Sequence, residues 1–505
     1  GALGTMVGLF EAAVDELCRW RPVSGHDAGP KIVASTATTK RAKEQVLGVF
    51  ARDLAIFPPQ VLDVRDTFFS RQVEPTEQSP GRRYLGVCAH GVRFKSAEIQ
   101  LMESLLAAGQ QMYDRHGAAA DPYHTVVAYF NAIRELAGMR RYLDDDVVIR
   151  MQRRGRRGMV ARQVGRGRLL EASELTSRIS SGDISAVLKR LEVPFEPELD
   201  TSVRRIAIRD NTREVGRANR GKSSRSKDRV DYHPLVKRYY DRTDQPAHTP
   251  IDVVLATSML QVGVDVARFG LMVVTGQPKN TAEYIQASSR VGRDRGRPGL
   301  VLTLYNWTRP RDLAHYEDFA HYHATFYRQV EALSVTPYTR RALDRGTAAT
   351  FVAAVRQIEE EYSDNQAAAQ VPLDGPAVRG VVHRLLARAA AVDGARGEQY
   401  FGERIRRLVD VWKRWQGIEG QLGYANQTGK HPARGFLEPA GNGAWSDRTA
   451  GYSMRETEHE VNLLVDGGDG IYLPEFDARP WSFATSSPPT GDAAGEESDQ
   501  RGDEQ

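Results

Sequence analysis

Hydrophobic positions along this chain alternate between short unbroken runs and helically spaced stripes. Near the amino end, VGLFEAAVDELCRW spaces its apolar residues at helical intervals, and an apolar pair at Ile32 and Val33 reads as a strand before a further helix. A strand is expected near residues 84–89 and a helix over 96–117. HTVVAYF (124–130) is a buried-strand candidate, and residues 131–141 continue as helix. After an arginine-rich interruption the sheet resumes at 172–179, followed by the helix ISAVLKRLE with Asp183 as its N-cap. A second polar stretch, about 197–248, precedes apolar runs at 251–256 and 269–274, and then a helix carrying Gln286, Arg290 and Arg293. Runs this short and this uniformly apolar suit parallel strands covered on both faces, so the pattern predicts an α/β lobe. Beyond residue 306 the pattern turns helical over 315–333, 348–361, 378–392 and 399–415, which predicts an α-helical carboxyl-terminal domain. The polar, acidic tail from about 482 is expected to be disordered.

The candidate chemistry lies in residues 251–306. Two arginines three positions apart share a helix face, so their guanidinium groups can converge on one polyanion through charge-assisted hydrogen bonds. Gly263 frees the backbone for a close approach, and Asp265 can accept from a sugar hydroxyl. Strand, turn, strand, helix and strand in this order would gather such polar groups at the carboxyl ends of a parallel sheet.

ATSMLQVGVDV (256–266) resembles motif V, QASSRVGR (286–293) motif VI and STAT (35–38) motif III of superfamily 2 helicases and translocases. The resemblance implies a second RecA-like lobe in which Arg290 and Arg293 are arginine fingers toward ATP. Gln286, Gly263 and Asp265 would face the nucleotide, and Thr257 and Ser258 would touch the nucleic-acid backbone. Where motif VI usually has glycine before its first arginine, this chain has Ser289. GALGTMVGLFE, YFNAIREL, ELTSRIS, TGQPKNTAEYIQASSRVGRD, RPRDLAHYEDF and SVTPYTRRALDRG resemble, more narrowly, the helicase subunit of the DISARM phage-defence system. On this reading residues 1–55 end a first RecA-like lobe and residues 56–310 form the second, with basic insertions at about 147–169 and 197–248. A helical domain follows over 311–481, then the tail 482–505. The implied cofactors are ATP and Mg2+, the metal held mainly by the first lobe. The implied partners are DNA, that first lobe and a defence-system protein, with no membrane.

A complete motor of this class needs a phosphate-cradling loop with its lysine and an acidic box. GRANRGKS (216–223) fits the phosphate-loop pattern in letters only, because charged IRDNTREV precedes it where a buried strand is required. Asp15-Glu16 resembles an acidic box, but its surroundings read as an amphipathic helix with solvated carboxylates. The chain is therefore expected to be the carboxyl-terminal part of a larger or split enzyme, inactive alone. The competing class is a non-enzymatic scaffold that docks nucleic acid or a partner.

A balance of 69 Lys+Arg against 65 Asp+Glu leaves only +4, so distribution matters more than total. The run MQRRGRRGMVARQVGRGR (151–168) and the basic region 204–242 each admit two readings, phosphate contacts or a solvated insertion. Cys18 and Cys88 lack disulfide or zinc spacing, which fits a reducing cytoplasm. His315, His321 and His323 lack a metal motif, and the aromatic residues around them are expected to pack a core, with Tyr316 or Phe319 as alternatives for stacking on bases. WKRW (412–415) is read as a helix anchor. No apolar run reaches the roughly 18–20 residues that span a bilayer.

Overall fold

A computed structural model of the chain describes residues 4–20, 28–36, 40–59, 61–63, 65–69, 71–156, 162, 170–176, 179, 183–223, 226–261, 265–294, 296–418, 421–429, 431–440 and 445–451. Gly263, Ala37 and Thr38 of STAT, most of the run 157–169 and the tail lie outside the described residues.

Six strands form one parallel sheet in the order β1-β6-β5-β2-β4-β3. They are β1 (Arg83–Cys88), β2 (Val126–Phe130), β3 (Ala172–Leu175), β4 (Val253–Ala256), β5 (Leu271–Thr275) and β6 (Leu300–Tyr305). Every residue of β2, β4 and β5 is buried, which is why their sequences show no alternation. Position parity decides which core each side chain joins. Val127, Tyr129, Val254, Ala256, Met272 and Val274 enter one cluster, whereas Val126, Ala128, Phe130, Val253, Leu255, Leu271 and Val273 enter the other.

The helices used below are α1 (Gly4–Leu17), α2 (Ala42–Phe50), α3 (Phe94–His116), α4 (Ile133–Tyr142), α5 (Val148–Arg156), α6 (Ile184–Leu191), α7 (Ser202–Ala218), α8 (Pro234–Thr243) and α9 (Thr281–Ser288). They continue with α10 (Pro310–Glu317), α11 (Phe319–Ala324), α12 (Arg340–Arg356) and α13 (Pro376–Ile418). α3 and α4 cover one sheet face through Ile99, Leu106, Leu136 and Met139. α9 and α11 cover the other through Tyr284, Ile285 and Tyr322. A separate core joins Leu9 and Ala12 of α1 to Leu343 and Phe351 of α12 and to Leu385, Phe401 and Trp412 of α13. α13 kinks at Gly394, whose φ is 66°. Trp412 is fully buried and its indole N–H donates to the Ala368 carbonyl at 2.9 Å, so WKRW does anchor its helix.

Several local expectations change. Ile32 and Val33 form no strand, and Val33 is 87% exposed, because an apolar pair needs neighbouring strands to satisfy its backbone. Asp15 and Glu16 are not solvated: Asp15 pairs with Arg52 at 2.5 Å and Arg388 at 3.1 Å, and Glu16 with Arg384 at 2.7 Å. Asp183 precedes α6 but its side chain makes no capping hydrogen bond, its φ of −85° and ψ of −17° being already helical. Residues 315–333 break after Glu317 into α10 and α11, and their aromatic residues pack on the sheet rather than standing free: Phe319 lies 4.0 Å from His323, and Tyr84 lies 5.8 Å from Phe326, centroid to centroid.

The largest change concerns the second polar stretch. It folds as α7 and α8, and GRANRGKS begins inside the last turn of α7, so a helix rather than a strand leads into it. Arg242 grips the buried Asp200 with two hydrogen bonds of 2.8 Å, and Arg205 reaches the same carboxylate at 3.2 Å. Arg162, from within the arginine-rich run, is fully buried in this network. It donates to Asp252 and to the Leu106 carbonyl at 2.9 Å each, and also to the His124 carbonyl. Burial and then the Arg162 charge hold the His124 pKa well below its usual value. Buried and held in this way, Arg162 is a structural cation with no surface to offer a phosphate.

Candidate functional site

The site is built on the exit from α9. Asn280 starts that helix by accepting from the Glu283 N–H at 2.8 Å. The helix stops after Ser288, so Arg290 and Arg293 stand on the following turn, not on a helix face as the spacing suggested. The turn closes at Gly292, with φ of +64°, a left-handed conformation available to glycine. A Cβ there would also sit 2.3 Å from the Gly299 nitrogen. The Gly292 N–H donates to the Phe269 carbonyl at 2.8 Å, and Val291, fully buried, plugs the turn to the core. Ser289 has φ of −69°, so no glycine is needed there.

This turn brings three of the expected residues together. Arg293 forms an ion pair with Asp265, and its Nε donates to the Ser289 carbonyl at 3.3 Å. The pKa of Arg290 is pushed down by burial and by the positive charge of Arg293, with Asp265 opposing both. Two guanidiniums close enough to repel, with the largely exposed Asp265 carboxylate paired to Arg293, make a corner that an anion would stabilise.

Their place in the sheet differs from the expected one. α9 runs back against the strands, so the turn sits beside Phe269, ahead of β5, and beside Gly299, ahead of β6. Asp265, Arg290 and Arg293 therefore gather at the amino-terminal edge of the sheet. Thr257 and Ser258 are at the opposite edge, where β4 ends. Thr257 is buried, its N–H donating to the Leu175 carbonyl at 3.2 Å, and Ser258 is exposed.

The carboxyl edge also holds a polar cluster that the motif reading missed. Asn131 Nδ2 donates to the Thr275 and Gln277 carbonyls at 3.1 and 3.2 Å, tying the end of β2 to the end of β5. Buried Asp312 accepts from the Gln277 and Asn306 N–H groups at 3.2 and 3.0 Å. Arg309 pairs with Glu135 at 2.9 Å, and burial, with Glu135 beside it, pushes the Glu98 pKa up to about 7 against the pull of Arg309. The available signal was positional: Asn131 and Asn306 are the polar residues that end two apolar runs.

The helicase conserved C-terminal domain family matches residues 241–295, the segment that supplies β4, β5, α9 and the arginine turn. Over this segment the chain is similar to helicases. It is 36% identical over 417 residues to the DISARM protein DrmA of Bacillus paralicheniformis, an alignment covering 82% of this chain and 32% of DrmA. The chain thus spans about a third of the length of that relative. Among solved structures it is similar to the DUF1998 helicase MrfA bound to DNA, with a TM-score of 0.34 and 13% identity over 72% of this chain and 35% of that one. It is also similar to domain 2 of the Mss116p DEAD-box helicase bound to an RNA duplex, with a TM-score of 0.24 and 9% identity over 60% of this chain and 86% of that one.

Within this α/β lobe the motif residues fall into two groups. Asp265, Arg290 and Arg293 meet at the amino edge, with Gln286 half-buried on α9 one helical turn before Arg290. Thr257 and Ser258 share the carboxyl edge with Asn131, Arg309 and Asp312, and Gly263, between the two groups in sequence, lies outside the described residues. Among the described residues no group of three or more His, Cys, Asp or Glu side chains converges as a metal site. None of the described helices is long and apolar enough to cross a membrane.

Proposed function

We propose that this chain is the second motor lobe of an ATP-dependent superfamily 2 DNA helicase or translocase that acts in phage defence. The observation that carries the proposal is the closeness of Arg290 and Arg293, whose charges repel, beside the Asp265 carboxylate that pairs with Arg293. Such a pair fits the anionic end of a nucleoside triphosphate, whose Mg2+ complex supplies the phosphoryl group to be transferred. Arg290 and Arg293 are the arginine fingers, aimed at charge that grows on the phosphate oxygens, an effect worth roughly a thousandfold or more. Asp265, Gly263 and Gln286 face the nucleotide, with Asp265 exchanging its arginine partner for a sugar hydroxyl. Thr257 and Ser258, at the other edge, hold the DNA backbone. Two edges for two ligands let closure around one ligand shift the grip on the other. The likeness to the DISARM protein DrmA supports the defence role and a partner protein from that system.

The test is DNA-stimulated ATP hydrolysis by the full-length protein carrying Arg290→Ala or Arg293→Ala. Each substitution is expected to lower turnover about a thousandfold while DNA affinity stays within about threefold. Wild-type turnover in both variants would refute the finger role.

A further inference from the structure

Arg82 is the residue through which the connection from α2 enters the sheet. Its neighbour Arg83 opens β1 by donating its N–H to the Gly299 carbonyl at 2.8 Å, which sets Arg82 directly against the arginine turn. Its guanidinium Nε donates to the Val291 carbonyl at 2.9 Å, across 209 positions of sequence, and Nη2 reaches the Ser289 carbonyl at 3.5 Å. These two carbonyls flank Arg290 in the turn that follows α9. The Ser289 carbonyl is also the one that Arg293 Nε contacts at 3.3 Å, so Arg82 and Arg293 converge on a single oxygen. Two residues on, Tyr84 hydroxyl meets Ser288 Oγ at 3.1 Å, a second tie between β1 and the same turn.

We infer that Arg82 is a positioning residue for the arginine pair: by gripping the carbonyls of Ser289 and Val291 it fixes the direction in which Arg290 and Arg293 leave the backbone. The inference rests on the reading of that pair as the triphosphate-facing group. It adds that the pair is set from β1 and the segment leading into it, outside the motif that contains the arginines. A displacement of the segment before β1 is then passed to both guanidiniums through one side chain. A shift of about 1 Å at reacting groups can cost about a hundredfold in rate.

The experiment compares Arg82→Ala, Arg82→Lys and Arg290→Ala in the full-length protein by two readouts. Hydrogen exchange without nucleotide should rise about tenfold in a peptide spanning residues 286–299 of Arg82→Ala, with peptides over β2 and β4 unchanged. ATP turnover should then fall about ten- to a hundredfold in kcat with KM within about threefold, and Arg82→Lys, which can still reach one carbonyl, should recover most of both. Unchanged exchange and kcat in Arg82→Ala, beside an inactive Arg290→Ala, would overturn the inference and leave the finger reading standing. Exchange rising across the whole sheet would also overturn it, as the mark of a residue needed only for folding. Full turnover in Arg290→Ala would instead sink the finger reading, and with it the catalytic purpose of Arg82.

Discussion

Replacing Arg162 by alanine should loosen the lobe, and the size of the effect can be worked from its surroundings. The side chain is fully buried and holds Asp252 and the Leu106 carbonyl at 2.9 Å each, together with the His124 carbonyl. Its removal strands the Asp252 carboxylate, which is left with the Glu171 N–H at 2.9 Å, and takes a donor from the carbonyls of Leu106 in α3 and of His124 just ahead of β2. Breaking a buried ion pair in this way costs about 3–5 kcal/mol, a large part of the roughly 5–15 kcal/mol that holds a domain folded. Hydrogen exchange over β4 should report that loss locally, with the α12–α13 core unchanged. In a double-mutant cycle, Asp252→Asn should cost much less on top of Arg162→Ala than alone, with a coupling above about 1.5 kcal/mol. Loss of less than about 1 kcal/mol, or strict additivity, would show that Arg162 rests at this position without holding it.

Gly292→Ala forces a β-carbon against the Gly299 backbone and a left-handed conformation worth about 1–2 kcal/mol for a non-glycine residue. The turn should shift, and turnover should fall at least tenfold at near-normal DNA affinity; wild-type kinetics would contradict the geometry. The Glu98 pKa of about 7 lies above its ordinary 4.5, so its folded form binds the proton more tightly. Stability from this group is full below pH 4.5 and is lost as pH rises through about 7, by about 3 kcal/mol at most. Glu98→Gln should therefore stabilise the lobe at pH 8 and do little at pH 5, as urea unfolding at both values can check. A gain of the same size at both would place the cause in packing instead of ionisation.

How far the sequence could be read depended on whether a residue's role was local. β2, β4 and β5 were legible because strands buried on both faces need unbroken apolar runs, and such runs are visible in the letters. The pairing of Asp265 with Arg293 was foreseen only as membership of two motifs. That they meet at the amino edge follows from α9 reversing the chain and from the glycine turn at Gly292, a three-dimensional return that spacing alone does not reveal. Arg205, Arg242 and Arg162 read as either phosphate contacts or a solvated insertion because their partners, Asp200 and Asp252, fall in other elements. Charge in a sequence signals exposure only until a buried opposite charge is found for it. Asp15 and Glu16 were misread for the same reason: beside the local Arg19, their partners Arg52, Arg384 and Arg388 lie more than 30 positions downstream.

The most direct measurement is the structure of the full-length protein with DNA and a non-hydrolysable ATP analogue. The account predicts Arg290 and Arg293 within about 3 Å of the terminal phosphate oxygens, with the Asp265 pairing to Arg293 released. It further predicts DNA on the edge of Thr257 and Ser258. Guanidiniums turned to solvent, or Arg293 still paired with Asp265 and remote from the nucleotide, would contradict it.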